Sequence, residues 1–108
     1  MRIAILGSTG SIGTSTLDVL ARHRERYEVF ALTAHGRVDA LHAQCLDWNP
    51  RFAVLPDAGA ARDLARLLAG SGRRTEVLAG PEALAEVAAH REVDAVMAAI
   101  VGAAGLEP

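Results

Sequence analysis

Lysine is absent from this 108-residue sequence, since all eleven basic residues are arginine. No chemistry that needs a lysine amine can therefore reside in it. Arginine in place of lysine, together with heavy use of alanine, reads as a GC-rich coding bias. Cysteine is almost missing too. Cys45 stands alone, which excludes an internal disulfide and fits a reducing cytoplasm, the expected location. A small buried hydrophobe on a helix is the main reading of that thiol; a reactive nucleophile is the lesser one, because no cationic cluster activates it. Long apolar runs are lacking. The opening run holds four residues before Gly7, too few for a signal peptide, and the longest, Ala95 to Ala104, is about half a membrane span. Positive charge is not in excess either: a net charge of −2 leaves no basic field to gather nucleic acid. His23, His35, His42 and His90 show no metal-ligand spacing, and no pair of carboxylates is arranged for general acid–base work. No convincing catalytic group is present.

What remains is a soluble globular composition, 51% hydrophobic and 22% charged, long enough for one domain with a real core. Its most informative segment is Ile3-Ala4-Ile5-Leu6-Gly7-Ser8-Thr9-Gly10-Ser11-Ile12-Gly13. An apolar run stops at a glycine, two more glycines follow at three-residue spacing, and an amphipathic stretch begins. That is a strand, a tight turn and a helix N-terminus, the cradle of a pyrophosphate. Gly7 allows the sharp exit. Gly10 removes a Cβ that would hold backbone N–H groups away from phosphate oxygens, and Gly13 lets the helix pack closely on its strand. The free amides of the first turn, with roughly half a positive charge of macrodipole, face the anion. Gly-Lys-Ser/Thr is absent, so this is not a P-loop. Ser8, Thr9 and Ser11 offer hydroxyls to phosphate, although Ser11 also suits a helix cap.

Strands and helices alternate along the rest. Strands are expected at Arg2–Leu6, Glu28–Ala34, Phe52–Leu55, Glu76–Ala79 and Ala95–Val101. The first helix is expected at Ser11–Arg24, with Ile12, Thr16, Leu17, Val19 and Leu20 as its apolar side. The second, Val38–Asp47, buries Val38, Leu41, Cys45 and Trp48. Asp57 caps the third, whose stripe is Ala61, Leu64, Ala65 and Leu68 before Gly70-Ser71-Gly72 ends it. Gly80-Pro81-Glu82 opens the fourth, with Leu84, Val87 and Ala88 inward. The last strand is apolar on both faces, as a central parallel strand is. These βαβ units imply an α/β fold: a Rossmann-like, doubly wound parallel sheet with helices on both faces. Residues 1–108 form one nucleotide-binding domain. Its tail, Gly102 to Pro108, reads as a turn entering a further helix, so the chain is expected to be truncated.

In this architecture the tip of the second strand meets the adenosine ribose, and an acid about 20 residues past the glycines would select NAD. Here the window reads Thr33-Ala34-His35-Gly36-Arg37, without a carboxylate. Arg37 can hold a 2′-phosphate by a charge-assisted contact of about 1.5–3 kcal/mol, favouring NADPH by one or two orders of magnitude. A solvated loop arginine is the alternative. The small residues Ala98, Ala99, Gly102, Ala103, Ala104 and Gly105 permit a flat ring close to backbone, and equally suit tight helix–sheet packing.

Gly7 to Gly13, continued by Ser15-Thr16-Leu17-Asp18-Val19, closely resembles the opening of the 1-deoxy-D-xylulose 5-phosphate reductoisomerase family. So do Ala31-Leu32-Thr33-Ala34, Gln44-Cys45-Leu46, Thr75-Glu76-Val77-Leu78 and Val96 to Leu106. The resemblance implies NADPH and a divalent cation, Mg²⁺ or Mn²⁺, a sugar-phosphate substrate and a homodimer. The expected reaction turns 1-deoxy-D-xylulose 5-phosphate into 2-C-methyl-D-erythritol 4-phosphate, on the non-mevalonate route to isoprenoids. It places cofactor contacts at Thr9, Gly10, Ser11 and Ile12, at His35, Gly36 and Arg37 for the 2′-phosphate, and near Ala99 and Ile100. The family usually shows Asn where Arg37 stands, after a Lys or Arg where Gly36 stands, so the charge has moved by one position. The family's metal-binding carboxylates and substrate-phosphate residues fall after Pro108, so this chain is expected to bind NADPH weakly without turnover. The main rival is a stand-alone NADP(H)-binding sensor. A semialdehyde dehydrogenase or acyl-phosphate reductase is a third reading, for which Cys45 is badly placed.

Overall fold

The structure is a computed structural model that describes residues 1–98. Elements alternate as β1 (Arg2–Leu6), α1 (Ser11–Ala21), β2 (Glu28–Thr33), α2 (Val38–Trp48), β3 (Phe52–Leu55), α3 (Ala58–Leu68), β4 (Glu76–Ala79), α4 (Pro81–Ala88) and β5 (Ala95–Ala98). All strand pairs are parallel, in the order β4-β3-β2-β1-β5. The chain steps outward from β1 to β4 and then returns to the opposite flank of β1. Right-handed crossovers therefore put α1, α2 and α3 on one face and α4 on the other. Leu17, Leu20, Leu41, Cys45, Leu64 and Leu68 share one core with Ile3, Ile5, Leu32 and Leu55. Ala83 and Val87 close a second core over Ala4, Phe30, Ala31 and Val54. The strand order thus reverses direction at β1, the place where open α/β sheets form a ligand crevice at their carboxyl ends.

The register of β1 on β2 shifts once: Ile3 faces Val29, but Ala4 faces Ala31. Phe30 is the extra residue of this bulge. Because side chains alternate with period two, one inserted residue inverts the pattern beyond it. Phe30 and Ala31 accordingly both lie in the α4-side core, and Thr33 arrives beside Leu6, at the start of the glycine loop.

Several boundaries differ from expectation. α1 ends at Ala21 rather than Arg24, and the charged run Arg22 to Arg26 turns instead, with Arg26 and Tyr27 N–H groups donating to the His23 carbonyl. Its buried stripe is Gly13, Leu17 and Leu20, whereas Ile12 and Val19 are 59% and 50% exposed. Glycine at the first of these positions draws that face against the sheet and rotates Ile12 and Val19 to the flank. α2 runs on to Trp48, ending at Asn49 in the left-handed region. Trp48 is half-buried beneath the Arg24 guanidinium, 3.8 Å from its ring centroid. Asp57 caps α3 as expected, accepting from the Ala60 N–H at 2.8 Å. On α4 the buried residues are Ala83 and Val87, with Leu84 and Ala88 half-buried. β5 is not central among the described residues: it pairs with β1 alone, leaving Val96 and Met97 each 42% exposed. Its expected continuation to Val101 lies outside the described residues. Among them, no helix is long and apolar enough to cross a membrane.

Candidate functional site

At the carboxyl end of β1 the chain leaves the sheet through Gly7, whose φ of +82° is a left-handed conformation that glycine takes readily. The Gly7 and Ser8 N–H groups both donate to the Thr33 carbonyl, at 3.0 and 2.8 Å, and Gly7 also reaches Thr33 Oγ1 at 3.1 Å. The Gly10 N–H then donates to the Gly7 carbonyl at 3.3 Å, closing a tight turn. Gly10 is the N-cap of α1, with extended backbone and no side-chain cap. Ser11 is consequently the first helical residue rather than the cap, and its exposed hydroxyl stands at the rim of the loop.

The two later glycines are required for different reasons. A Cβ on Gly13 would overlap the Gly7 carbonyl oxygen and come within 2.6 Å of Ser8 Cα, so α1 and the loop can touch only through glycine. A Cβ on Gly10 would meet only the Gly7 carbonyl oxygen, at an ordinary 3.7 Å. The protein itself imposes no glycine there, whereas a ligand approaching the amides would.

Among the described residues, no protein acceptor takes the backbone N–H of Thr9, Ser11, Ile12 or Gly13. Thr9 is buried, 9% exposed, and its hydroxyl has no hydrogen-bond partner among the described residues. A cluster of unmatched donors at a helix N-terminus suits an anion. Ser8 departs from the expectation. Its side chain is fully buried and its hydroxyl donates to Gln44 Oε1 at 2.6 Å, so it faces α2 and is not offered to a phosphate.

The second half of the site follows β2. Ala34 is buried and donates its N–H to the Val54 carbonyl at 3.0 Å, holding the strand end in place. His35, Gly36 and Arg37 form the exposed turn into α2, where Arg37 occupies the N-cap position. Arg37 makes no ion pair among the described residues, although Asp39 sits in the same first turn. Gly7 and His35 line one cavity of about 530 Å³, together with Thr33, Val54, Pro56 and Leu84. Its apolar walls suit a flat heteroaromatic ring. Sequence reasoning missed Pro56, Gly80 and Pro81 as parts of this rim. Their signal was positional, because Pro56 and Gly80 directly follow β3 and β4, and Pro81 comes next, where the carboxyl ends of those strands open on the same sheet edge. The expected contacts Ala99 and Ile100 lie outside the described residues.

Cys45 is not among the residues lining the cavity. It is fully buried, and burial pushes its thiol up from 9.0 to about 12, so it stays protonated and inert. Among the described residues, no group of three His, Cys, Asp or Glu side chains could hold a metal ion. The arrangement can grip a diphosphate, accept an aromatic ring and meet an extra anion at Arg37.

Comparison with known proteins agrees with this geometry. Residues 3–108 match the family model of 1-deoxy-D-xylulose 5-phosphate reductoisomerase. The protein of that name from Aromatoleum aromaticum is 64% identical over 107 residues, covering 99% of this chain and 27% of the relative. The one from Pseudomonas fluorescens is 60% identical over 107 residues, with the same 99% and 27% coverage. Among solved structures, DOX-P reductoisomerase in complex with NADPH, fosmidomycin and magnesium superposes with a TM-score of 0.89 at 42% identity, covering 98% of this chain and 26% of that one. The Zymomonas mobilis enzyme in complex with NADPH gives 0.75 at 42% identity, covering 81% of this chain and 22% of its own. The chain spans about a quarter of the length of the curated relatives it matches. From residue 3 onward, then, this chain belongs to the 1-deoxy-D-xylulose 5-phosphate reductoisomerase family.

Proposed function

We propose that this chain is the NADPH-binding part of a reductoisomerase that converts 1-deoxy-D-xylulose 5-phosphate to 2-C-methyl-D-erythritol 4-phosphate. The carrying observation is that four amides and an arginine, none with a protein partner of its charge or hydrogen-bonding group among the described residues, stand at the carboxyl end of one sheet. The N–H groups of Thr9, Ser11, Ile12 and Gly13 grip the pyrophosphate, aided by the positive end of the α1 dipole. The Thr9 and Ser11 hydroxyls add donors, and Gly10 leaves the oxygens room. Arg37, on the turn with His35 and Gly36, takes the 2′-phosphate, and the cavity beside His35 seats the adenine. When bound, NADPH supplies hydride to the aldehyde that the skeletal rearrangement produces. The solved relative's name records magnesium. The described residues of this chain offer no ligand cluster for Mg²⁺ or Mn²⁺, so the cation is assigned outside them and no step is derived through it. The whole protein works in the cytoplasm as a homodimer on a sugar phosphate. This chain alone binds the cofactor and yields no product.

Titration with NADPH and NADH tests the reading. NADPH is expected to bind with an affinity about 10–100 times that of NADH, the worth of one charge-assisted contact. Equal affinities would overturn the role of Arg37. Absence of any NADPH binding would overturn the cofactor reading, and product formation by the chain with substrate and Mg²⁺ would overturn its assignment as a binding part only.

A further inference from the structure

We infer that Gln44 is a positioning residue for the dinucleotide loop. The inference rests on the cofactor reading above. Gln44 lies on α2, 36 residues from Ser8, yet makes two hydrogen bonds to it. Its Oε1 accepts from the Ser8 hydroxyl at 2.6 Å, and its Nε2 donates to the Ser8 carbonyl at 2.8 Å. A carboxamide carries its donor and its acceptor on separate atoms of one planar group, so it serves both bonds at once; an ionised carboxylate accepts only, and a thioether donates nothing.

The second bond carries the consequence. The Ser8 carbonyl and the Thr9 N–H belong to one planar peptide unit. No cis peptide occurs among the described residues, so within that unit the two groups point in opposite directions. Pinning the carbonyl toward α2 therefore aims the Thr9 N–H away from α2. Thr9 provides one of the four amides without a protein acceptor among the described residues, and a few tens of degrees of rotation would turn it off the phosphate. Gln44 thus sets the aim of the loop without touching the ligand.

The test measures NADPH affinity of the chain by fluorescence titration, with melting temperature recorded beside it. Gln44→Met removes both bonds and is expected to raise the Kd about tenfold, the loss that one misdirected amide brings. Gln44→Glu, which cannot donate to the carbonyl, is expected to lose at least as much and serves if the methionine variant does not fold. Thr75→Val is the stability control. It deletes a part-buried bond of 2.6 Å to the Pro50 carbonyl at the opposite end of the sheet, and it should leave Kd within about twofold. Unchanged affinity in Gln44→Met or Gln44→Glu, or an equal loss in Thr75→Val, overturns the inference about Gln44. Failure of the unaltered chain to bind NADPH instead overturns the cofactor reading beneath it.

Discussion

Alanine placed at the two loop glycines should separate folding from binding. At Gly13 the added methyl would lie 2.6 Å from Ser8 Cα and 2.8 Å from the Ser8 carbonyl carbon, besides overlapping the Gly7 oxygen. Carbon contacts normally sit at about 3.5–4.0 Å, so α1 must retreat by about 1 Å. These neighbours are backbone atoms that no rotamer change can clear. Overpacking then costs about 3 kcal/mol, offset by about 1 kcal/mol of alanine's helix preference, for a net loss of about 2 kcal/mol. The melting temperature of Gly13→Ala should fall by about 10 °C. At Gly10 φ is −78°, and the new contact is an ordinary 3.7 Å. Alanine fits there and narrows the unfolded ensemble, so Gly10→Ala should melt no lower than the unaltered chain and up to about 1 kcal/mol more stable. Its methyl nevertheless stands between the amides and a phosphate. Loss of even one charge-assisted bond weakens NADPH binding by about 10–100-fold. Calorimetric melting and NADPH titration of both variants decide the matter. A Gly10→Ala chain that binds NADPH normally would refute the pyrophosphate seat, and a fully stable Gly13→Ala chain would refute the close approach of α1.

Arg37→Ala should weaken NADPH about 10–100-fold and leave NADH nearly unchanged, read by parallel titrations; a parallel loss of both cofactors would contradict its pairing with the 2′-phosphate. Cys45 titrates at about 12 when folded, above its ordinary 9.0, so the folded chain keeps a proton that the unfolded chain releases. Its contribution to stability is complete below about pH 9 and is lost as pH climbs toward 12, at up to about 1.4 kcal/mol per pH unit. Urea midpoints across that range should fall more steeply for the unaltered chain than for Cys45→Ala, and a thiol reagent at pH 8 should label Cys45 only as fast as the chain opens. Asp57→Ala removes the one side-chain cap acting on α3 and should lower stability by about 1 kcal/mol, or about 5 °C in melting temperature.

The glycine loop was legible because its demands are local: the strand exit at Gly7 and the close contact at Gly13 each call for glycine within seven consecutive residues. Strand and helix order was legible for a similar reason, since capping by Asp57 and the Gly80-Pro81 start are short-range signals. Long-range pairings were not. Nothing adjacent to Ser8 indicates that its hydroxyl faces Gln44, because that bond exists only after α2 packs beside α1. Ile12 and Val19 fit an apolar helix stripe on paper, yet the contact at Gly13 selects a different face. An apolar composition suggested a central β5, while strand order is decided by crossover geometry that composition does not encode.

The bulge at Phe30 gives β2 one residue more than β1 over their paired length. Deleting Phe30 would restore simple alternation and leave Thr33 beside Leu6, its carbonyl still offered to the Gly7 and Ser8 amides, but would take the phenyl ring out of the α4-side core. A single-codon deletion there would therefore spare the loop upstream and register as lost packing, about 3–5 kcal/mol for a fully buried aromatic side chain.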